Sequence, residues 1–308
     1  FLMLLIYQEP GKAERLEAAR VADAKGTARR SLVSESLEEL MKPHVFVYLL
    51  IFSGFWFMFN ALFDVLPAHI EEWVDTREVV RTLFGGEPVT NAFVKFFVVL
   101  NADGTEIQPE GMLNLNAGLI MLTCFGFAWI SGLMRATTSM VVGTLLATVA
   151  LFMTGHATAG WASVIAIAVF SVGEMLSSPK FSEFIGNFAP DDKKAMYLGF
   201  SQIPLAIGWT LEGFFGPRLY DEFASKERFS RELLASKGMA QDAISAIPQG
   251  EAFDKLVVFL GQDKWDVTAQ LASTHDIAMV WNIMGVVGIV SAIGIFLYGR
   301  WILTLNIR

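Results

Sequence analysis

Glu174 stands near the middle of an apolar run that begins at Ala159, within the stretch Ser171-Val172-Gly173-Glu174-Met175-Leu176-Ser177-Ser178-Pro179. A carboxylate in hydrocarbon costs about 3 kcal/mol on insertion scales, so a glutamate there faces a cavity, a partner or a proton path. The chemistry open to it is reversible protonation. Desolvation favours a neutral acid and a nearby cation favours the carboxylate, so a site whose surroundings alternate takes up and releases a proton. The alternative is a structural glutamate satisfied by the neighbouring hydroxyls of Ser171 and Ser177. Other polar side chains interrupt apolar stretches. Asn60 and Asn116 would line a cavity as donors and acceptors, with Trp56 as an apolar wall; interhelical hydrogen bonding and plain helix packing are the competing roles. Asp64 and Glu212 fall toward the ends of their stretches, where water is near. They read as solvated acids or as a candidate outer gate that pairs with a cation supplied from elsewhere.

The elements that hold these residues follow from hydropathy. Hydrophobic residues make up 54% of the 308, charged residues only 18%, and the mean hydropathy is +0.48, which is the composition of a polytopic membrane protein. Six spans are expected, over His44 to Ala68, Leu113 to Leu133, Thr138 to Gly155, Ala159 to about Asn187, Ala195 to about Pro217, and Ile277 to Tyr298. Pro204 removes a backbone donor inside the fifth, so a kink is expected there. Phe1 to Tyr7 reads as the end of a preceding helix, and residues 8–42, rich in both signs of charge, as a linker. Residues 43–308 then form an all-α membrane protein, a six-transmembrane-helix bundle with two large outer loops, 69–112 and 218–276. Asn101-Ala102-Asp103-Gly104 predicts a hairpin turn. Helical amphipathic patterns cover Phe229 to Ser236 and Phe253 to Leu260, and the two loops together are long enough to pack into a small cap.

Arg135, Lys180, Lys193 and Lys194 lie in short connections on the linker side, whereas the short turn at His156 carries no Lys or Arg. By the positive-inside rule the linker and the C-terminus are cytoplasmic. The net charge of -8 then resides mainly in the outer loops, as a solvated acidic surface that does not suit nucleic acid. Cys124, the one cysteine, lies in an apolar run and reads as a small buried hydrophobe. His44, His69, His156 and His275 fall off the middle of any span, and no two share ligand spacing along one helix, so no metal site is expected. With no Gly-rich phosphate loop after a strand either, the chain does not read as an enzyme, and no cofactor is expected.

Six spans after a cytoplasmic linker are what the second half of a twelve-span transporter would look like, with two six-helix halves around a midplane site. More specifically, Gly173-Glu174-Met175-Leu176-Ser177-Ser178-Pro179, Ala189-Pro190, Gly199 and Ala206-Ile207-Gly208 resemble the corresponding stretch of the proton-dependent oligopeptide transporters of the major facilitator superfamily. Phe55-Trp56 with Phe59 is similar to the aromatic motif of their seventh helix. Gly104, Ile107, Pro109, Asn116 and Ala128-Trp129 are similar to the approach to and course of their eighth.

The resemblance covers roughly Pro43 to Arg300. It implies alternating access driven by a proton gradient, in a bacterial inner (plasma) membrane, with small peptides as the usual cargo and Glu174 touching substrate near the cavity midplane. It also implies an N-terminal six-helix half outside this chain as the partner. The chain departs from the family at Ser201-Gln202, where these transporters usually carry Trp-Phe. It departs again at Trp209, where they have Asn, and at Ala61, where the motif's amide stands one residue earlier as Asn60. Those positions are cavity candidates, so the cargo stays open between a peptide and another solute such as a cell-wall fragment, beside a non-transporting scaffold or sensor built on the same body.

Overall fold

The computed structural model describes residues 32–304. The expectation of a helix end at 1–7 and most of the linker lie outside the described residues. Two compact units divide the chain, residues 1–46 and 47–308. In the first, α1 (Leu32–Leu40) is short and amphipathic, and Lys42 pairs with Glu39 at 2.6 Å. Pro43 then opens α2 (Pro43–Trp73), where a missing backbone donor costs least.

The second unit is helical throughout. Among the described residues the only ladder contacts are two isolated bridges, Asp75 with Ala159 and Leu100 with Ile107. Five helices are long and apolar enough to cross a membrane: α2, α5 (Pro109–Gly132), α6 (Ala136–His156), α7 (Gly160–Phe188) and α14 (Met279–Thr304). The 31 residues of α2 extend about 46 Å at 1.5 Å per residue, more than the roughly 30 Å of a hydrocarbon core. Its last turns, with Glu71, Glu72 and Trp73, therefore project beyond the apolar layer.

Small residues set the closest crossing. Gly143 and Ala147 of α6 meet Gly173 and Ser177 of α7, and a Cβ on Gly173 would fall 2.6 Å from the Ala147 nitrogen. The hydroxyls there are used up within the interface: Ser139 donates to the Leu176 carbonyl at 2.6 Å and Ser177 to that of Gly173 at 2.7 Å. Such backbone proximity is how helices gain dispersion energy where no hydrophobic effect drives them together. On another face of α7, Phe181 packs on Phe52 and Phe55 of α2 at 4.6 and 4.4 Å between ring centroids, and its carbonyl accepts from the Tyr48 hydroxyl at 3.0 Å.

The segment expected as one fifth span is two helices, α8 (Lys194–Phe200) and α9 (Gln202–Ala224), divided at Ser201. The break lies ahead of Pro204, where the kink was expected, and the reason is local. Proline clashes with and leaves unbonded the carbonyl four residues earlier, which is that of Phe200. α9 runs on through Pro217 to Ala224. Its charges at Glu212, Arg218, Asp221 and Glu222 lower its hydropathy, and it is not among the five helices both long and apolar enough to span.

The two long connections form short helices: α3 (Arg77–Phe84), α4 (Ala92–Val98), α10 (Lys226–Ser236), α11 (Gln241–Ser245), α12 (Ala252–Leu260) and α13 (Lys264–Thr274). Phe229, Leu234, Leu256, Val267 and Leu271 are their buried core. The Asn101 to Gly104 turn is present, with Gly104 at φ 70° and its amide donating to the Asn101 carbonyl at 3.0 Å. It is not flanked by strands. Asn91 caps the preceding Phe-rich run as helix α4, accepting from Phe93 and Val94 amides.

Candidate functional site

Two polar groups lie among the long helices. In the first, Asn116, buried in the third turn of α5, uses one Nδ2 for two bonds across to α7, to Ser171 Oγ at 3.0 Å and to Glu174 Oε2 at 3.0 Å. Ser171 and Glu174 are three residues apart, hence on one face of α7. Ser171 is buried and donates its own proton back to the Ile167 carbonyl at 2.8 Å. Glu174 is half-buried, with one oxygen held by Asn116. Ser177, the other hydroxyl that could have satisfied it, points instead to the Gly173 carbonyl. A lone amide thus fixes the carboxyl without neutralising it, which leaves the group free to bind a proton or a cationic part of a solute.

The second group joins α2 to α9. Trp56, Asn60 and Asp64 recur every four residues on α2, and Gly208 and Glu212 do so on α9. Gly208 lets the helices touch: a Cβ there would fall 2.6 Å from both the Phe57 nitrogen and the Trp56 Cβ. One turn on, Asn60 Nδ2 donates to Glu212 Oε2 at 2.6 Å. Glu212 is fully buried and Asp64 is exposed, so the two acids expected in similar watery positions differ sharply. Trp56 is half-buried and edge-on to Phe55 and Phe59, at 5.3 and 5.1 Å.

Among the described residues no hydrogen bond joins the two groups. Phe59 of α2 does pack on Phe170 of α7 at 5.4 Å, one turn before Glu174. Ser201 and Gln202 belong to neither group. Ser201 is buried and donates to the Leu198 carbonyl at 2.6 Å, while exposed Gln202 donates back to Ser201 at 3.2 Å. They lie about 16 Å along α9 from Glu212 at 1.5 Å per residue. Their hydrogen bonds belong to the break between α8 and α9.

A third constellation has no signal in the sequence, because it is assembled from four separate segments beyond the apolar layer. Lys226, 4% exposed, has its ammonium 3.7 Å from the Phe253 ring centre, with the Trp73 and Trp265 rings at 5.4 and 5.8 Å. It donates to the Glu72 carbonyl oxygen. The Glu72 carboxylate accepts from the Tyr220 hydroxyl at 2.8 Å, and Trp73 Nε1 donates to the Ala224 carbonyl at 3.0 Å. Burial pulls the Lys226 ammonium down to about 7, against the pull of Glu72. Nearby, the Arg77 side chain donates to both Asp75 carboxylate oxygens, at 2.9, 3.1 and 2.6 Å, and its backbone amide adds a fourth bond at 3.0 Å. Burial works to raise the Asp75 carboxyl, but the Arg77 bonds outweigh it and hold the group below its usual value. Arg77, Arg81, Glu106 and Trp265 line a cleft of about 440 Å³ in this layer.

His69 is fully buried and accepts from Trp281 Nε1 at 3.2 Å, which makes it a packing residue and not the surface histidine its place in the sequence suggests. No three His, Cys, Asp or Glu side chains come together as metal ligands among the described residues. No family model matches the chain, and neither curated proteins nor solved structures supply a match.

Proposed function

We propose that this chain is the C-terminal half of a twelve-helix secondary transporter of the major facilitator type, a proton-coupled symporter that works by alternating access. On this reading α8 and α9 together form the fifth of six spans and Glu174 is the proton-coupling and substrate-contacting acid. Asn116, Trp56 and Asn60 belong to the cavity wall. Energy comes from the proton gradient, and the cargo is a small peptide or a related solute. The linker and C-terminus are cytoplasmic, in a bacterial inner membrane.

The observation that carries this reading is the state of Glu174. It is a half-buried carboxyl in the middle of an apolar helix, held by a single neutral amide from a neighbouring helix, with no cation from the described residues bonded to it. An acid so placed needs a function to offset its desolvation. The test is uptake by proteoliposomes under an inward proton gradient, with a panel of di- and tripeptides and with Glu174→Gln beside the wild type. Peptide-stimulated proton entry that vanishes in the variant supports both the mechanism and the cargo. A response only to another solute keeps the mechanism and replaces the cargo.

The ordered outer layer supports a second reading, a membrane scaffold or sensor whose cleft beside Trp265 meets a partner. Absence of coupled flux with every solute would favour it.

A further inference from the structure

Glu212 is a second acid inside the helical layer, and its geometry differs from that of Glu174. The whole side chain is shielded from solvent. Oε2 accepts from Asn60, but Oε1, equally buried, has no hydrogen-bond partner among the described residues. The carboxyl folds back along its own helix into the space left by Gly216, where any Cβ would strike Oε1, and Val65 of α2 closes the same side. What stands on this side of α2 is another carboxyl: Asp64 follows Asn60 by one turn and adjoins Val65, and its charge bears on Glu212. Two carboxylates facing each other are both acceptors, with no donor between them. The remaining neighbours supply none. The other long helix against α9 is α14, whose charged and titratable side chains, Tyr298 and Arg300, fall in its last two turns, remote from the Asn60 level of α2.

We propose that Asp64 and Glu212 hold one proton between them and form a proton-binding site separate from Glu174. A shared proton supplies the donor the pair lacks, removes one of the two like charges, and leaves Asn60 to stabilise the oxygen that does not carry it. Asp64, the exposed member, is the route by which the proton comes and goes, and Glu212 is the store. The arrangement needs no cation from another part of the protein. A sodium ion could use the same oxygens, so the experiment must separate the two occupants. The inference stands apart from the transport reading: it requires α9 to lie in an apolar surround, but neither a cargo nor a role for Glu174.

Carbodiimide labelling tests it, because dicyclohexylcarbodiimide reacts with protonated carboxyls in apolar surroundings and spares ionised ones. The purified protein is labelled at neutral pH, without and with sodium, and the peptide containing Glu212 is weighed by mass spectrometry. Expected is labelling of Glu212 in the wild type and equally in Glu174→Gln, indifferent to sodium, and reduced several-fold at mildly alkaline pH by Asp64→Asn, which removes the facing acceptor. In parallel, Glu212→Gln, which resembles the protonated acid and still offers its carbonyl to Asn60, keeps the thermal midpoint of the wild type. Loss of labelling on adding sodium would overturn the proton in favour of the metal ion. An unlabelled Glu212 in protein with the wild-type elution profile, or a Glu212→Gln variant that unfolds well below the wild type, would overturn the site as a protonated pair.

Discussion

Single side chains carry the chemistry here, and each can be removed by itself. Asn116 is the only group bonded to the Glu174 carboxyl among the described residues. Asn116→Ala leaves Ser171 and the carboxyl without that donor, at a cost of about 1–3 kcal/mol for buried partners. The expected result is a lower thermal midpoint together with a weakened response of proton uptake to solute; Asn116→Asp, which substitutes an acceptor for the donor, should be worse. Lys226 gives a prediction in pH. Its ammonium titrates near 7 in the fold against an ordinary value of 10.5, so between these the folded chain binds fewer protons than the unfolded one. Stability therefore rises with pH across that window, by up to about 1.4 kcal/mol per pH unit, and is flat below it with respect to this group. Thermal unfolding in detergent should show this rise in the wild type and lose it in Lys226→Met, which keeps the aliphatic stem against Phe253, Trp73 and Trp265.

At the scale of helices, close packing is decided at a few small residues. Gly173 sits against the backbone of α6, where neither Gly143 nor Ala147 has a flexible atom to move aside. Gly173→Leu should push α6 and α7 apart and destabilise the bundle by roughly 1–3 kcal/mol or more, read as a lowered midpoint or loss of the monodisperse species. The same change at Gly126, where nothing stands within 4 Å, should be silent. The periodic and apolar content of the long helices is legible in the sequence, because hydrophobic length is a sum over neighbours along the chain. The division at Ser201 is less so: Pro204 announces a disturbance, but its location depends on which carbonyl loses its partner. The Phe-rich run before Asn101 misleads for a related reason. Its composition suits a strand, yet Asn91 caps it as a helix, and no strand is present among the described residues to pair with it.

The described part of the second unit divides into a set of long apolar helices and a set of short ones tied to it by Glu72, Trp73, Tyr220 and Lys226. If the short helices are external, as the charge distribution implies, Ser236→Cys in a Cys124→Ala background should react with an impermeant maleimide from outside intact cells. Asp192→Cys should react only after permeabilisation. The reverse pattern would invert the topology.

The sequence by itself determined that this is a helical membrane protein, where most long helices run, and that Glu174, Asn60, Asn116, Asp64 and Glu212 are polar groups out of keeping with their surroundings. These are properties of composition and spacing. Only the tertiary structure decided which of them meet: Asn116 with Glu174, Asn60 with Glu212, and Ser201 and Gln202 with neither. It also decided that Glu212 is buried while Asp64 is open, and that Lys226 is enclosed by rings from three segments. Burial and pairing depend on how helices far apart in the chain rotate and cross, and one residue type at one position is compatible with many such crossings until the packing of small side chains selects one.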